Sequence, residues 1–221
     1  RMAGNEDDGQ RPRHWGRALK TILIANRGEI AVRIARTAAE MGLATVAVYS
    51  EDDAASLHVR QADQAVALRG SGPAAYLDAA QILDAARGAG ADAIHPGYGF
   101  LSENAGFAQA CAQGGLAFIG PAPETLELFG DKAAARALAQ RCDVPVLPGT
   151  SAATTLEEAL AFLSGLGPGG AVMVKALAGG GGRGMRPAHD AEELAQVFER
   201  CASEARSAFG DGALYVERFM P

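Results

Sequence analysis

The sequence predicts an α/β protein in which a parallel sheet covered by helices precedes a smaller α+β unit. Short apolar segments alternate with segments of helical periodicity from residue 20 to residue 119. The stretch 20–50, with two apolar segments around one helical segment, is typical of a right-handed βαβ crossover. Two prolines and a glycine between positions 145 and 149 then mark a boundary, beyond which the order of strands and helices changes. The predicted divisions are an α/β domain at 18–120, a helical connector at 121–147 and an α+β unit at 148–221.

The elements of the α/β domain follow from their apolar positions. Ile22 and Ile24 make 21–25 a buried strand. The helix that begins at Glu29 carries apolar residues three or four positions apart, and Gly42 is predicted to end it in the left-handed conformation. The remaining predicted elements of this domain are strands at 44–49, 65–68, 92–95 and 116–119 and helices at 76–87 and 103–113.

The rest of the chain is predicted to begin with two helices, at 123–129 and 131–141. Asp131 stands at the N-cap of the second, where its carboxylate would accept from free backbone N–H groups. The predicted α+β unit then contains a helix at 156–163, strands at 171–176 and 185–188, a helix at 190–209 and a strand at 214–219.

Composition and charge exclude several classes of function. A net charge of −6 argues against nucleic acid as a partner. No apolar run approaches the roughly 20 residues that cross a bilayer, and the polar first seventeen residues, predicted to be disordered, do not resemble a secretion signal. The three cysteines form no CxxC pair and the histidines are scattered, so we expect no metal cluster and a reduced, cytoplasmic protein.

The sharpest motif is a glycine-rich loop between two predicted strands. Lys175 ends the first strand, and Gly179, Gly180, Gly181 and Gly182 follow. Glycines allow backbone N–H groups to approach phosphate oxygens, and a lysine adds a positive charge beside them. The alternative is an ordinary hairpin tip, but four glycines cost more conformational entropy than such a turn requires. The Gly-Lys-Ser/Thr ending of a Walker A loop is missing.

Two further segments fit a nucleotide site less specifically. Lys132, one of three lysines among 20 basic residues, opens a predicted helix, where the helix dipole disfavours a cation. The segment Glu217, Arg218, Phe219 and Met220 ends an apolar strand and could flank an adenine ring. An ordinary solvated helix residue and an ordinary strand are the alternatives for these two segments.

A glycine-rich turn follows the predicted strand at 92–95. Ligands of open α/β sheets bind at the carboxyl ends of strands, so Tyr98 and Gly99 stand where a site is expected. His95, in contrast, is predicted to pack beneath the turn. The single glycine after Asn26 does not make a dinucleotide fingerprint.

Taken together, these motifs resemble the biotin carboxylases from residue 20 to residue 221. The resemblance is carried by IANRGEIA at 24–31, HPGYGFLSEN at 95–104, FIGP at 118–121, GDK at 130–132, and KA at 175–176 with GGGGRGM at 179–185. It implies a pre-ATP-grasp domain followed by an ATP-grasp lid. The implied reaction is attack of bicarbonate on the γ-phosphate of ATP to give carboxyphosphate, with the released CO2 fixed on N1′ of protein-bound biotin.

The resemblance also implies roles for individual residues. Lys132 and Lys175 would contact the ATP phosphates while the glycines at 179–182 close over them, and Met185 would pack on the adenine beside the hinge at 217–220. Tyr98 and Gly99 would face biotin. Arg33, Arg36 and Glu40 match positions at the family's dimer interface.

Other features are expected beyond residue 221. The resemblance places the carboxylates that bind Mg²⁺, the bicarbonate-binding residues and the general base there, so neither a catalytic residue nor a metal ligand is predicted within the chain, which we expect to be inactive alone. A proline at position 187 departs from the family and predicts an edge strand.

The implied partners are a biotin carboxyl carrier and a carboxyltransferase component. An acyl-CoA carboxylase is the first expectation for the parent protein, with pyruvate and urea carboxylases as alternatives. A carbamoyl-phosphate synthetase or purine-biosynthesis enzyme is disfavoured by the HPGYGFLSEN stretch. A non-catalytic nucleotide-binding module is the alternative of another class.

Overall fold

The computed structural model describes residues 19–150, 152–177 and 184–220, with the side chain of Phe209 excepted. The predicted N-terminal extension, at 1–17, and the four glycines at 179–182 lie outside the described residues. The described chain forms two compact units, which divide between Glu127 and Leu128. The domain boundaries drawn from the sequence stay predictions.

The first unit is built on a five-stranded sheet with the strand order β3-β2-β1-β4-β5, and all four strand pairings are parallel. Its strands are β1 (Thr21–Ile24), β2 (Ala44–Tyr49), β3 (Gln64–Ala67), β4 (Ala93–His95) and β5 (Ala117–Phe118). Its helices are α1 (Gly28–Glu40), α2 (Leu57–Gln61), α3 (Ala79–Gly88) and α4 (Ala105–Gln113). The predicted parallel α/β architecture is therefore confirmed.

The helices of this unit end and begin where the sequence supplies the required backbone or side-chain groups. Gly42 has the left-handed φ of +73° that was predicted beyond the C-terminus of α1. The Asn104 side chain accepts from Phe107 N at 2.8 Å and caps α4. Between its two ends, α1 packs Ala31, Ile34 and Ala35 against Ile24 of β1 in a small core cluster.

The structure departs from the predicted elements of the first unit most clearly in two helices. The predicted helix at 76–87 begins only at Ala79, because Pro73–Leu77 forms a 3-10 turn and the Asp78 side chain caps the helix by accepting from Gln81 N. The five-residue helix α2 was not predicted, since it is too short to show helical periodicity.

The second unit contains a three-stranded antiparallel sheet with the order β7-β6-β8. Its strands are β6 (Val172–Ala176), β7 (Met185–Ala188) and β8 (Leu214–Arg218). The helices of this part of the chain are α5 (Pro123–Gly130), which crosses the division between the units, α6 (Lys132–Arg141), α7 (Leu156–Gly165) and α8 (Ala191–Phe209). Strand β7 lies at the edge of the sheet, as its proline predicted.

One face of this sheet forms the core of the second unit. Val172 and Val174 of β6 and Val216 of β8 are fully buried there beneath α7 and α8. At the entry to α7, Thr155 and Glu158 form a reciprocal capping box. The predicted N-cap of α6 is also confirmed, because Asp131 accepts from Ala133 N and Ala134 N at 2.8 and 3.0 Å.

Among the described helices, none combines the length and apolar character that crossing a bilayer requires.

Candidate functional site

The candidate site of the second unit lies on the sheet face opposite its core. Side chains alternate between the two faces of a strand, so the partners of the buried valines turn toward this second face. It carries Met173 and Lys175 of β6 and Tyr215 and Glu217 of β8, and we call it the charged face. Burial is the first reason that the pKa of Tyr215 is raised, and the nearby Glu217 carboxylate adds to it.

A buried carboxylate on the charged face joins two cations. Lys175 Nζ donates to Oε1 of Glu217 in a close ion pair. Arg136 Nη1 of α6 lies 3.5 Å from Oε2 of the same carboxylate, and Arg136 Nη2 donates to the Leu147 carbonyl at 2.6 Å. The Arg136 and Glu217 side chains are only 17% and 10% exposed, so water screens this arrangement weakly.

Lys132 completes the cationic group. Its Nζ donates to the Leu177 carbonyl at 3.0 Å, directly before the glycine-rich loop. Burial lowers the pKa of Lys132, the positive charge of Lys175 lowers it further, and Asp131 raises it. Two cations therefore meet the Glu217 carboxylate, and Lys132 is close enough to Lys175 for their charges to interact.

The residues predicted to hold the adenine lie on β7 and at the end of β8. Met185 pairs with Lys175 across the sheet and is 43% exposed. The Phe219 ring meets the His189 ring edge-on at 5.8 Å, and Met220 is exposed. Arg218 is exposed as well.

Parts of the predicted adenine hinge already make backbone hydrogen bonds. Arg218 N donates to the Pro148 carbonyl and Phe219 N to the Ala171 carbonyl, each at 2.8 Å. An adenine edge would therefore have to bind other backbone groups of the segment 217–220. The adenine role of this segment stays a prediction.

The segment 148–150, which directly follows the predicted connector, approaches β8 closely at Gly149, which forms an isolated antiparallel bridge with Glu217. A Cβ on Gly149 would lie 2.8 Å from the Val216 carbonyl oxygen and 2.9 Å from Glu217 Cβ, which is closer than such atoms pack. Thr150 N also donates to the Val216 carbonyl at 2.9 Å. Glycine is thus required at position 149 for this segment to lie against the strand that carries Glu217.

The glycine-rich turn of the first unit follows β4 and is shaped by Asn26. Asn26 Nδ2 donates to the carbonyls of Pro96 and Tyr98 at 2.7 and 2.8 Å, and its Oδ1 accepts from its own chain at Arg27 N. Gly97 has a φ of +66°, and a Cβ there would lie 2.8 Å from Asn26 Nδ2. The turn can therefore close on the asparagine only with glycine at this position.

The side chains of this turn point in different directions. Tyr98 is 64% exposed, and Gly99, with a φ of +67°, has open space where a side chain would stand. Both are accessible, as a ligand-facing role requires, although that role stays a prediction. His95 is half-buried, its Nδ1 accepts from Gly97 N at 3.0 Å, and burial lowers its pKa.

A buried polar network supports the same region and was missed by the sequence analysis. Asp53 accepts a hydrogen bond from the Tyr76 hydroxyl at 2.8 Å and pairs with Arg27 at 3.1 Å. Burial and the hydrogen bond to Asp53 contribute to raising the pKa of Tyr76 to about 12. Phe100, stacked on the Tyr76 ring at 5.2 Å, has an unusual positive φ of 44°. No local sequence signal joins residues so far apart in the chain.

The residues predicted for a dimer interface share one side of α1. Arg33, Arg36 and Glu40 are all exposed and recur at helical spacing. Their exposure leaves them available to a partner, and the interface stays a prediction.

The described residues offer no evident metal centre. No group of three or more histidine, cysteine, aspartate or glutamate side chains lies together in 19–150, 152–177 and 184–220. Within these ranges the side chains therefore supply no cluster of protein ligands for Mg²⁺.

Comparison with family models assigns both parts of the chain. Residues 18–126 match the biotin carboxylase N-terminal domain, and residues 131–221 match the ATP-binding domain of the carbamoyl-phosphate synthase L chain. The chain belongs to the biotin carboxylase family. The first of these matches covers the half that carries the HPGYGFLSEN turn, which disfavoured the carbamoyl-phosphate synthetase alternative.

Curated relatives of this biotin carboxylase chain are much longer proteins. A putative urea carboxylase of Emericella nidulans is 50% identical over 206 residues, which are 92% of this chain and 16% of the relative. The mitochondrial pyruvate carboxylase of Mus musculus is also 50% identical over 206 residues, 91% of this chain and 17% of the relative. The chain thus spans about a sixth of these relatives.

Solved biotin carboxylases have the same fold. The Campylobacter jejuni enzyme, solved as a β-γ-ATP complex, is 44% identical with a TM-score of 0.88 over 92% of this chain and 46% of its own. The biotin carboxylase domain dimer of Hydrogenobacter thermophilus 2-oxoglutarate carboxylase, solved with MgADP, ADP and bicarbonate, is 43% identical with a TM-score of 0.84. That match covers 91% of this chain and 44% of the other.

Proposed function

We propose that this chain supplies the ATP-phosphate and biotin-facing parts of a biotin carboxylase, which carboxylates protein-bound biotin with bicarbonate and ATP. The single observation that carries the proposal is that Lys175 and Arg136 share the buried Glu217 carboxylate while Lys132 is held close enough to feel the charge of Lys175. Cations held close together and partly out of water repel one another, and a bound polyphosphate would relieve that repulsion.

The two lysines have distinct places in this proposal. Lys132 stands at the carbonyl that precedes the glycine-rich loop, and Lys175 stands on the adjoining strand. Both would neutralise charge on the β- and γ-phosphates as bicarbonate oxygen attacks the γ-phosphorus and the bond to the β-phosphate oxygen breaks. Positioning and charge, rather than a covalent protein intermediate, would accelerate the step.

The second half of the proposed reaction concerns the turn at 95–99. Carboxyphosphate would break down to CO2 and phosphate, and the CO2 carbon would bond to N1′ of biotin as that nitrogen gives its proton to a base. The Asn26 contacts would hold Tyr98 and Gly99 in place to receive the carrier-bound biotin. Rigid placement of a ligand-facing turn lowers the entropic cost of orienting the substrate.

The wider assignment belongs to the same proposal. A biotin carboxyl carrier, a carboxyltransferase component and a second copy meeting Arg33, Arg36 and Glu40 are the proposed partners. A relative named for urea and another named for pyruvate match equally well, so the proposal stops at biotin carboxylation and names no final acceptor. Free thiols at all three cysteines support a cytoplasmic location.

The direct test is ATP cleavage by the full-length protein carrying Lys175→Gln. We expect the KM for ATP in the bicarbonate- and biotin-dependent reaction to rise about tenfold, because a phosphate-binding ammonium is lost. The similar length of the glutamine side chain limits packing effects, and Lys20→Gln, at an exposed lysine of the first unit, is the control. Unaltered ATP kinetics in Lys175→Gln would remove the proposed phosphate site.

A further inference from the structure

Glu217 is an unusual residue to find paired with a lysine that is proposed to bind phosphate. It is a carboxylate with a 10% exposed side chain, and each of its oxygens faces a different cation. In the structure described here the Lys175 ammonium is thereby paired with a protein carboxylate. A phosphate that engages Lys175 must compete with that carboxylate.

Removing Lys175 from Glu217 would leave a buried negative charge, unless another cation remains. Breaking one partner from a buried ion pair is strongly destabilising, because the remaining charge is desolvated without compensation. Arg136 meets the second oxygen of Glu217 and can remain there while Lys175 moves. The two cations are therefore not equivalent in their relation to the carboxylate.

Arg136 is also fixed in place by a second contact. Its Nη2 donates to the Leu147 carbonyl at 2.6 Å, while Nη1 faces Glu217. A planar guanidinium can make both contacts at once in a set geometry, which the point charge of a lysine cannot reproduce. Leu147 directly precedes the segment 148–150, which pairs with β8. The Arg136 side chain therefore joins α6, the start of this segment and β8.

We propose that Glu217 is an internal counterion that Lys175 exchanges for the polyphosphate of ATP, and that Arg136 is the positioning residue that keeps Glu217 neutralised after the exchange. This inference rests on the proposed phosphate site. It extends that site by assigning Arg136 a function in nucleotide affinity without contact to the nucleotide. It also explains why an acidic residue stands among cations that bind an anion.

A merely structural ion pair makes a different prediction. If Arg136 only fastened α6 to β8 through Glu217, either single variant would lower stability, and Glu217→Gln would not tighten tripolyphosphate binding. If Arg136 bound phosphate itself, its loss would weaken binding to the same extent with and without the Glu217 charge. Exchange of counterions instead requires the two residues to be energetically coupled in ligand binding.

The experiment is a double-mutant cycle in the full-length protein with Arg136→Met, Glu217→Gln and the combination. Calorimetric titration without bicarbonate measures Kd for MgATP and for inorganic tripolyphosphate, which reports the phosphate contacts alone. We expect Arg136→Met to weaken both ligands about tenfold when Glu217 is present and less than about twofold when it is combined with Glu217→Gln. Glu217→Gln alone is expected to tighten tripolyphosphate binding severalfold, since Lys175 loses its competitor.

The controls separate the possible failures. Arg141→Met, at an exposed arginine in the last turn of the same helix, is expected to leave both Kd values within about twofold. Equal losses for Arg136→Met with and without Glu217→Gln, or weaker tripolyphosphate binding by Glu217→Gln, would overturn the exchange. Unchanged MgATP binding by Lys175→Met would overturn the phosphate site itself.

Misfolding of one variant would not remove the test. Arg136→Lys keeps the positive charge but not the double contact, and it is expected to lose part of the coupling to Glu217. If it behaved as wild type in every titration, the positioning role of the guanidinium would be disproved.

Discussion

Lys132 and Lys175 occupy different electrostatic environments although both belong to the proposed phosphate site. Lys175 has the Glu217 carboxylate as its partner, whereas Lys132 donates to a neutral carbonyl and faces the charge of Lys175. Burial and that neighbouring charge hold the pKa of Lys132 below its ordinary value of 10.5. The protonated form of Lys132 therefore costs folding free energy, which phosphate binding would recover.

The pH dependence of ATP binding should consequently reveal Lys132. Because its folded-state pKa is lowered, Lys132 loses its proton at a lower pH than an ordinary lysine, and stability increases as pH rises from that lowered pKa toward 10.5. The KM for ATP should change in the opposite sense and rise over the same interval, since the neutral amine no longer pairs with phosphate. Steady-state kinetics across the alkaline range will measure this.

Two arginine replacements calibrate that profile. Lys132→Arg should keep the KM for ATP flat where the wild type rises, because a guanidinium stays charged. Lys20→Arg, at an exposed lysine of the first unit, should retain the wild-type profile. An alkaline rise that persists unchanged in Lys132→Arg would assign it to another group.

Among the secondary-structure elements, β8 receives the most varied support. It pairs with β6 along one edge, and the segment 148–150 lies against its other edge. Its Val216 enters the core while Glu217 turns to the charged face. A small displacement of β8 would therefore disturb packing and the charged face together.

The close contact at Gly149 allows that displacement to be tested. Gly149→Ala should destabilise the second unit by about 1–3 kcal/mol and raise the KM for ATP, because the new Cβ would meet the Val216 carbonyl and Glu217. Gly165→Ala, at the end of α7 with open space around its Cβ, should be neutral or more stable by up to about 1 kcal/mol. Chemical denaturation and ATP kinetics on both variants provide the comparison, and equal stabilities would disprove the steric argument.

The elements show what the sequence could and could not specify. Regular apolar spacing predicted strands such as β2 to the residue and placed α6 and α8 within one residue of their starts. It missed α2, which is shorter than two helical turns. Lysine scarcity singled out Lys132 and Lys175, but Arg136 was one arginine among many, although it stands one helical turn after Lys132 and so on the same side of α6.

Long-range polar contacts were beyond sequence reasoning for a different reason. Asn26 and Tyr98 are 72 positions apart and become neighbours only when β1 and β4 pair in the sheet. The same holds for Asp53, which follows β2, and Tyr76, which lies between β3 and α3; their hydrogen bond joins two segments outside the sheet. Such contacts depend on strand order, which local periodicity does not contain.

At the scale of the whole chain, two compact units carry the two proposed ligand-facing regions. The first has its own core around the parallel sheet and presents the turn at 95–99. The second has a separate core and presents the charged face. Because each region is supported by contacts within its own unit, each ligand should protect its own unit first.

Hydrogen exchange of backbone amides in the full-length protein can test this division. At a concentration one hundred times its Kd, a ligand that binds only the folded state stabilises that state by about 2.7 kcal/mol. Amide exchange that requires the unit to unfold then becomes about one-hundredfold slower. MgATP without biotin should therefore slow amide exchange in β6, β8 and the segment 148–150. Free biotin should instead slow exchange in the turn that Asn26 holds, at 96–99.

Lys175→Met supplies the control for that measurement. It should remove the MgATP-dependent protection of β6 and β8 and leave the effect of biotin on the turn unchanged, because the Lys175 ammonium pairs with Glu217 on the charged face. The two-region assignment requires this separation. If MgATP protected the turn at 96–99 and left β6 and β8 unprotected, the nucleotide would bind the first unit, and the charged face would have to be explained without it.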